Sequence, residues 1–116
     1  MSENKHRLCS PAIGDIIAER ARQIREERWT PDHDDIHTDG SLARAAAAYA
    51  LVGSLCDRVR ARLYPSSWGT VIRSLWPAAW DETWFKPKDR RYDLVRAGAL
   101  IAAEIERLDR AEAGAP

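Results

Sequence analysis

The sequence has few of the residues on which several protein classes depend. Its 116 residues include only two cysteines, Cys9 and Cys56. This small number excludes a disulfide framework and a cysteine-based metal knuckle. It has no apolar run of about 18 residues, the length a membrane-spanning helix needs, so none is predicted. The first ten residues are polar. Because a signal peptide needs an apolar stretch, we expect a cytoplasmic protein.

The sequence also lacks net charge. Its 18 basic and 18 acidic side chains balance to a formal charge of zero. Extended nucleic-acid binding requires a basic excess on one face, so we expect none. A small anionic ligand needs only a few positive groups and is compatible with this balance. The chain also has no glycine-rich phosphate loop and no nucleophile paired with a base.

Apolar periodicity predicts an all-α protein, a small bundle of three main helices. The length suits one domain, over residues 11–110, with a flexible tail at 1–10 and a frayed tail at 111–116. Capping signals at Ser10-Pro11 and at Asp89 mark two of the helix starts. Helix one is expected over residues 11–28, helix two over 41–62 and helix three over 90–110.

The core is expected along the apolar face of each helix. The alanine run at 45–48 of helix two suits close helix packing, and Cys56 extends the same stripe as a small core residue. A core of this size is marginal alone, so we predict a homodimer to which helix two contributes. The predicted faces are Ile13, Ile16, Ile17, Ala21 and Ile24 on helix one, and Leu94, Ala97, Gly98, Ile101, Ile105 and Leu108 on helix three.

Residues 29–40 form an acidic loop with two histidines. His33, Asp34, Asp35 and His37 place carboxylates and imidazoles at a density that suits Mg²⁺, Mn²⁺ or Zn²⁺. Asp is equally common in turns, where its carboxylate accepts backbone hydrogen bonds, so a structural role stays open. Mg²⁺ or Mn²⁺ is the only cofactor that the sequence suggests.

The aromatic segment, residues 64–88, holds four of the five tryptophans of the chain and is interrupted by prolines. Indole rings stack on nucleobases, and Lys86 and Arg91 can hold a phosphate beside them. The same rings could instead fill one end of the bundle core, and both interpretations remain open. Periodicity does not decide whether residues 70–75 are helical or extended, and we expect a loop elsewhere in the segment.

Polar residues on the helix borders complete the predicted site. Gln23 and Glu27 lie one turn apart on helix one, where they either line a pocket with the acidic loop or form a solvated flank. Glu104, in the middle of helix three, is either a partner in a buried pair or a ligand. The predicted ligand-binding residues are Gln23, Glu27, Trp29, His33, Trp84, Lys86, Arg91 and Glu104.

The run Trp29-Thr30-Pro31-Asp32-His33-Asp34-Asp35-Ile36-His37 resembles the Trp-Thr-Pro-x-His-Asp-Asp-x-His motif of a small protein family common in phages and prophages. The resemblance covers roughly residues 15–110 and includes Trp84-Phe85-Lys86-Pro87. Arg28 stands where the family often has glycine, and Phe85 where it often has tryptophan. The resemblance implies a phage context and the cytoplasm of the host cell.

Two further likenesses bear on function. The all-α layout with acidic helix borders is similar to MazG-like nucleoside triphosphate pyrophosphatases, which bind Mg²⁺ through Glu and Asp, although their paired-glutamate motif is absent here. The tryptophan after helix one, the acidic loop and the later Asp93-Leu94-Val95 run resemble the ryanodine-receptor repeat domain. That resemblance implies a nucleotide-derived ligand.

These observations lead to three hypotheses about function. The first is capture of a nucleotide or nucleotide-derived signal, without turnover, by a phage counter-defence protein. The second is a metal-dependent pyrophosphatase that uses Glu27, the acidic loop and Glu104. The third is a protein–protein inhibitor whose tryptophan-rich segment forms the binding hot spot.

Overall fold

The computed structural model describes residues 10–63 and 68–114, which form six α-helices and no β-strand. The predicted all-α fold is therefore confirmed, and the three longest helices correspond to the three predicted ones. Within these residues no helix combines the length and the apolar character needed to cross a membrane. The helices are α1 (Pro11–Glu26), α2 (Pro31–Asp35), α3 (Ser41–Ser54), α4 (Asp57–Leu63), α5 (Trp68–Leu75) and α6 (Arg90–Ala113), with a 3-10 helix at Glu82–Trp84.

Local capping sets the starts of α1 and α6 as predicted. The Ser10 hydroxyl accepts from the amide of Ile13 at 3.3 Å, and the Asp89 carboxylate accepts from the amide of Tyr92 at 2.8 Å. Helix α6 continues to Ala113, into the tail predicted to fray. The predicted flexible tail, apart from its last residue, and residues 115–116 lie outside the described residues.

A short helix, α2, lies inside the acidic loop, where none was predicted. Thr30 is its N-cap, because the Thr30 hydroxyl accepts from the amide of His33 at 3.2 Å, and Pro31 occupies the first helical position. This is the same hydroxyl–proline signal that starts α1. In the aromatic segment the open question at 70–75 is also resolved, because these residues belong to α5.

The prediction of one continuous helix over 41–62 is wrong. Helix α3 ends at Ser54, and Leu55 is extended with ψ of 134°. The break lets Arg60 of α4 donate to the Val52 carbonyl at 2.6 Å and to the Asp93 carboxylate of α6 at 2.8 Å. The first of these bonds satisfies one of the last carbonyls of α3, and the second joins α4 to α6. Cys56 lies at the break and is exposed, so its predicted core position is also wrong.

Helices α3 and α6 form the centre of the core. Leu42, Ala45 and Val52 of α3 are completely buried, as is Leu100 of α6. The alanine run therefore allows close packing as predicted, but the neighbour is α6 of the same chain. Of its four alanines only Ala47 is exposed, so the run offers little to a dimer contact. The homodimer itself remains a prediction.

The buried face of α1 is largely polar, so the predicted apolar face is wrong at Ile13 and Ile17. Ile16 and Ile24 of that face are half-buried, and Ile16 packs against Gly98 of α6 as predicted. Ile13 and Ile17 are exposed by 46% and 64%, whereas Glu19, Arg20 and Gln23 are buried. The reason is that α1 packs through ion pairs: Arg20 contacts Asp34 of α2 and Glu106 of α6 at 2.7 and 3.1 Å. On α6 the buried face is also shifted from the predicted one. Ala97 is buried as predicted, but Leu94, Ile101, Ile105 and Leu108 are exposed, and Ala99, Leu100 and Ala103 are buried instead.

Candidate functional site

A cavity of about 530 Å³ opens where the acidic loop, the aromatic segment, α3 and α6 meet. This volume lies within the range of about 300–1,000 Å³ typical of small-molecule sites. Its lining combines aromatic rings, imidazoles, carboxylates and cationic groups. The lining residues are Glu27, Trp29, His33, His37, Asp39, Ser41, Tyr49, Ala79, Trp80, Trp84, Lys86 and Arg96.

Three tryptophans form one side of the cavity, here called the indole wall: Trp29, Trp80 and Trp84. The ring centroids of Trp29 and Trp80 lie 5.9 Å apart, and those of Trp80 and Trp84 lie 6.2 Å apart. Trp80 is 7% exposed, whereas Trp84 is 54% exposed and stands at the cavity mouth. The wall is therefore anchored at Trp80 and open to a ligand at Trp84.

The aromatic segment serves both of the roles left open by the sequence. Trp76 and Phe85 are buried, with ring centroids 5.1 Å apart, and pack in the core around Tyr49. Trp80 and Trp84 line the cavity instead. Some of the rings thus stabilise the bundle and hold the others in place.

The two histidines of the acidic loop face each other in the cavity. Nε2 of His33 and Nε2 of His37 are 3.5 Å apart, and the His37 ring packs edge-on against Trp80. A hydrogen bond between two imidazoles requires one ring to donate and the other to accept. Burial, followed by the neighbouring His33, lowers the pKa of His37 below its ordinary value of 6.5. His37 is therefore neutral at physiological pH.

The Tyr49 hydroxyl holds the end of the aromatic segment on α3. It donates to the Trp84 carbonyl at 3.2 Å and accepts from the Lys86 amide and from Arg96, each at 3.0 Å. Burial raises the pKa of Tyr49, so the hydroxyl remains protonated and able to donate. This one oxygen consequently positions Trp84 and Lys86 at the cavity.

The charges at the cavity are of both signs. Glu27 and Asp39 supply carboxylates, and Lys86 and Arg96 supply cations. The side chain and backbone amide of Ser41 donate to Asp39, and these hydrogen bonds lower the pKa of Asp39, which is ionised at neutral pH. Among the described residues no acidic group pairs with Lys86, so its ammonium can contact an anion.

Five of the eight predicted ligand-binding residues line the cavity: Glu27, Trp29, His33, Trp84 and Lys86. The sequence brings these five together because they lie in two short segments of the chain, 27–33 and 84–86.

The other three predicted residues lie elsewhere. Gln23 is completely buried, and its amide donates to Glu19 at 3.2 Å. Arg91 pairs with Asp15 on another surface at 2.8 Å. Glu104 pairs with Arg107 one turn along α6, which corresponds to the pair-partner alternative for this residue.

Four polar residues of the cavity lining were not predicted from the sequence: Tyr49, Arg96, Asp39 and Ser41. Tyr49 falls on the apolar stripe of α3, and Arg96 is one of many charged residues on α6, so periodicity does not distinguish either of them. A usable signal existed only for Asp39, because an aspartate before Gly-Ser commonly accepts a hydrogen bond from the backbone amide two residues on.

The four residues predicted as metal ligands do not converge. The Asp34 carboxylate is buried against Arg20 at 2.7 Å, and Asp35 pairs with Arg110 at 2.8 Å on the surface. His33 lies near two of the others, with its Nε2 3.5 Å from Nε2 of His37 and its Nδ1 3.6 Å from Oδ1 of Asp34. Across residues 10–63 and 68–114 no three His, Cys, Asp or Glu side chains are grouped so as to hold a metal ion.

Comparison of the chain with protein families, with curated proteins and with solved structures found no match in any of the three.

Proposed function

We propose that the protein binds a nucleotide or nucleotide-derived anion in this cavity and holds it without converting it. One observation carries the proposal: the indole wall and Lys86 line the same cavity. Indole faces stack on bases of any identity, and an ammonium pairs with phosphate. The cavity volume suits a ligand of that size.

The pairing of the carboxylates with arginines favours capture over hydrolysis. Asp34, Asp35 and Glu104, which the pyrophosphatase hypothesis would use, are each paired with an arginine. A metal bound to any of them would compete with an arginine for the carboxylate, and loss of the buried Arg20–Asp34 pair is strongly unfavourable. The capture hypothesis needs no such rearrangement.

The inhibitor hypothesis needs an exposed aromatic hot spot, and the packing supports it less well. Trp76 and Trp80 are buried, as is Phe85, which leaves Trp84 as the exposed ring among the described aromatics of this segment. The resemblance of the acidic loop to a phage protein family gives the proposed binding its biological setting. In that setting the protein sequesters a host nucleotide signal.

Binding can be tested with matched lysine variants. We expect some members of a panel of mononucleotides, cyclic nucleotides and dinucleotides to raise the melting temperature and to quench tryptophan fluorescence. Lys86→Ala should weaken binding, whereas Lys88→Ala should not, because Lys88 lies over the Tyr92 ring and outside the cavity lining. A panel without any binder, or equal losses in both variants, would contradict the proposal.

Turnover can be tested with the same ligands. The protein is incubated with each binder and Mg²⁺ or Mn²⁺, then heat-denatured, and the released ligand is identified by chromatography. Intact ligand supports capture. Monophosphate and pyrophosphate formed over many turnovers, and lost in Glu27→Gln, would replace the proposal with the pyrophosphatase hypothesis.

A further inference from the structure

The three rings of the indole wall are tilted against one another. Its neighbouring ring planes are tilted by 50° between Trp29 and Trp80 and by 60° between Trp80 and Trp84. The rings therefore do not form a stack of parallel plates. Each indole face carries the negative side of the ring quadrupole, and groups of such rings bind organic cations. Within the described residues no lysine or arginine lies over these three rings.

Two carboxylates line the same cavity with bonding capacity left. Oε1 of Glu27 accepts from Arg22 at 3.1 Å, and Oδ1 of Asp39 accepts from Ser41. In the part of the chain that the structure describes, the second oxygen of each carboxylate accepts no hydrogen bond. A carboxylate beside these aromatic rings adds direct charge attraction for a cation and repels a phosphate.

The cationic groups are linked to the Trp84 end of the wall, because the Tyr49 hydroxyl also donates to the Trp84 carbonyl. Arg96 and the backbone of Lys86 both bond to the Tyr49 hydroxyl. Glu27, by contrast, precedes Trp29 by two residues, and Asp39 follows His37, whose ring packs on Trp80. The carboxylates thus lie in the stretch of chain that carries Trp29, at one end of the indole wall. Carboxylates and cations in one cavity suit a ligand with a cationic part and an anionic part.

This inference rests on the proposed nucleotide binding and specifies the class of ligand. We infer that the base of the ligand is a heteroaromatic ring with a positive charge, such as an N-alkylated base, joined to phosphate. The charged ring lies against the indole wall, where Glu27 and Asp39 balance its charge, and the phosphate contacts Lys86.

Two matched ligand pairs test the charge on the ring. The first is 7-methylguanosine monophosphate, whose ring is cationic, against guanosine monophosphate. The second is nicotinamide mononucleotide, a pyridinium, against its reduced, uncharged form. We expect the charged member of at least one pair to bind about tenfold or more tightly, as measured by calorimetry, because a desolvated cation–π contact contributes an effect of that order.

Variants of the full chain test whether the preference for the charged ring depends on the indole wall and its carboxylates. Glu27→Gln and Trp84→Phe should reduce the preference for the charged ring, whereas Lys86→Ala should weaken both members of a pair by a similar factor. Equal affinities within both pairs would overturn the inference and leave nucleotide binding intact. A preference for the charged ring that is unchanged in both Glu27→Gln and Trp84→Phe would also overturn the inference. So would the absence of binding by all four ligands. Nucleotide binding itself fails if the wider panel has no binder, or if Lys86→Ala and Lys88→Ala lose affinity equally.

Discussion

Asp34 and Arg20 form a buried ion pair, with Arg20 Nη2 at 2.7 Å from Asp34 Oδ2, that joins α2 to α1. The same arginine donates to the Trp29 carbonyl at 3.1 Å, so it holds both ends of the turn between the two helices. The side chain of Asp34 is fully buried and also lies 3.6 Å from Nδ1 of His33. The pair therefore positions one tryptophan and one histidine of the cavity.

Removal of the buried carboxylate should lower the denaturant concentration at which the protein unfolds. We predict that Asp34→Ala lowers the free energy of unfolding by about 3 kcal/mol, because Arg20 then loses the partner of a buried charge. Asp35→Ala is the matched control: its pair with Arg110 is half-exposed, so its loss should cost about 1 kcal/mol or less. Urea denaturation followed by circular dichroism measures both, and equal losses would contradict the structural role of Asp34.

Tyr49→Phe should affect stability and ligand binding together. Without the hydroxyl, the Trp84 carbonyl loses a donor and the Lys86 amide an acceptor, at a cost of about 1–3 kcal/mol for partly buried groups. Tyr92→Phe removes one bond, to Arg96, and should cost less. We expect only Tyr49→Phe to weaken nucleotide binding. Binding unchanged in a folded Tyr49→Phe variant would show that the cavity does not depend on this hydroxyl.

Arg28 offers a stabilising substitution. Its φ of 60° lies in the left-handed region, which is unfavourable by about 1–2 kcal/mol for a residue with a side chain. Glycine adopts this region freely but loses more entropy on folding, so Arg28→Gly should raise the free energy of unfolding by about 0.5–1 kcal/mol. Arg28→Ala keeps the Cβ atom and should give no such gain. Thermal unfolding of both variants at equal concentration measures the difference.

Stability should fall as the pH is lowered below neutral. Because the pKa of His37 is lowered in the folded state, the unfolded chain binds the proton more readily below pH 6.5. Stability is therefore greatest above this value and declines as the pH falls toward the folded-state pKa. His37→Gln should flatten the decline between pH 7.5 and 5.5, whereas carboxylates such as Asp39, with a lowered pKa, act only at more acidic pH. An unchanged slope in the variant would contradict this assignment.

The amino-acid sequence by itself determined the features that depend on neighbouring residues. The caps at Ser10 and Asp89 were predictable because each hydroxyl or carboxylate bonds an amide three residues away. The all-α class followed from apolar periodicity in the same way. Five cavity residues were predictable because their chemistry is concentrated in two short segments.

Only the tertiary structure decided which faces are buried and which residues meet. Arg20 of α1 is buried, and Ile17 is not, because the partners of Arg20 are Asp34 and Glu106, which lie 14 and 86 positions away in the chain. Likewise Tyr49 and Arg96 meet across 47 positions. Apolar periodicity identifies the more apolar face of one helix from the spacing of its residues. Burial of a charge depends instead on a specific partner from another helix. That partner lies close enough to pair only once the chain has folded.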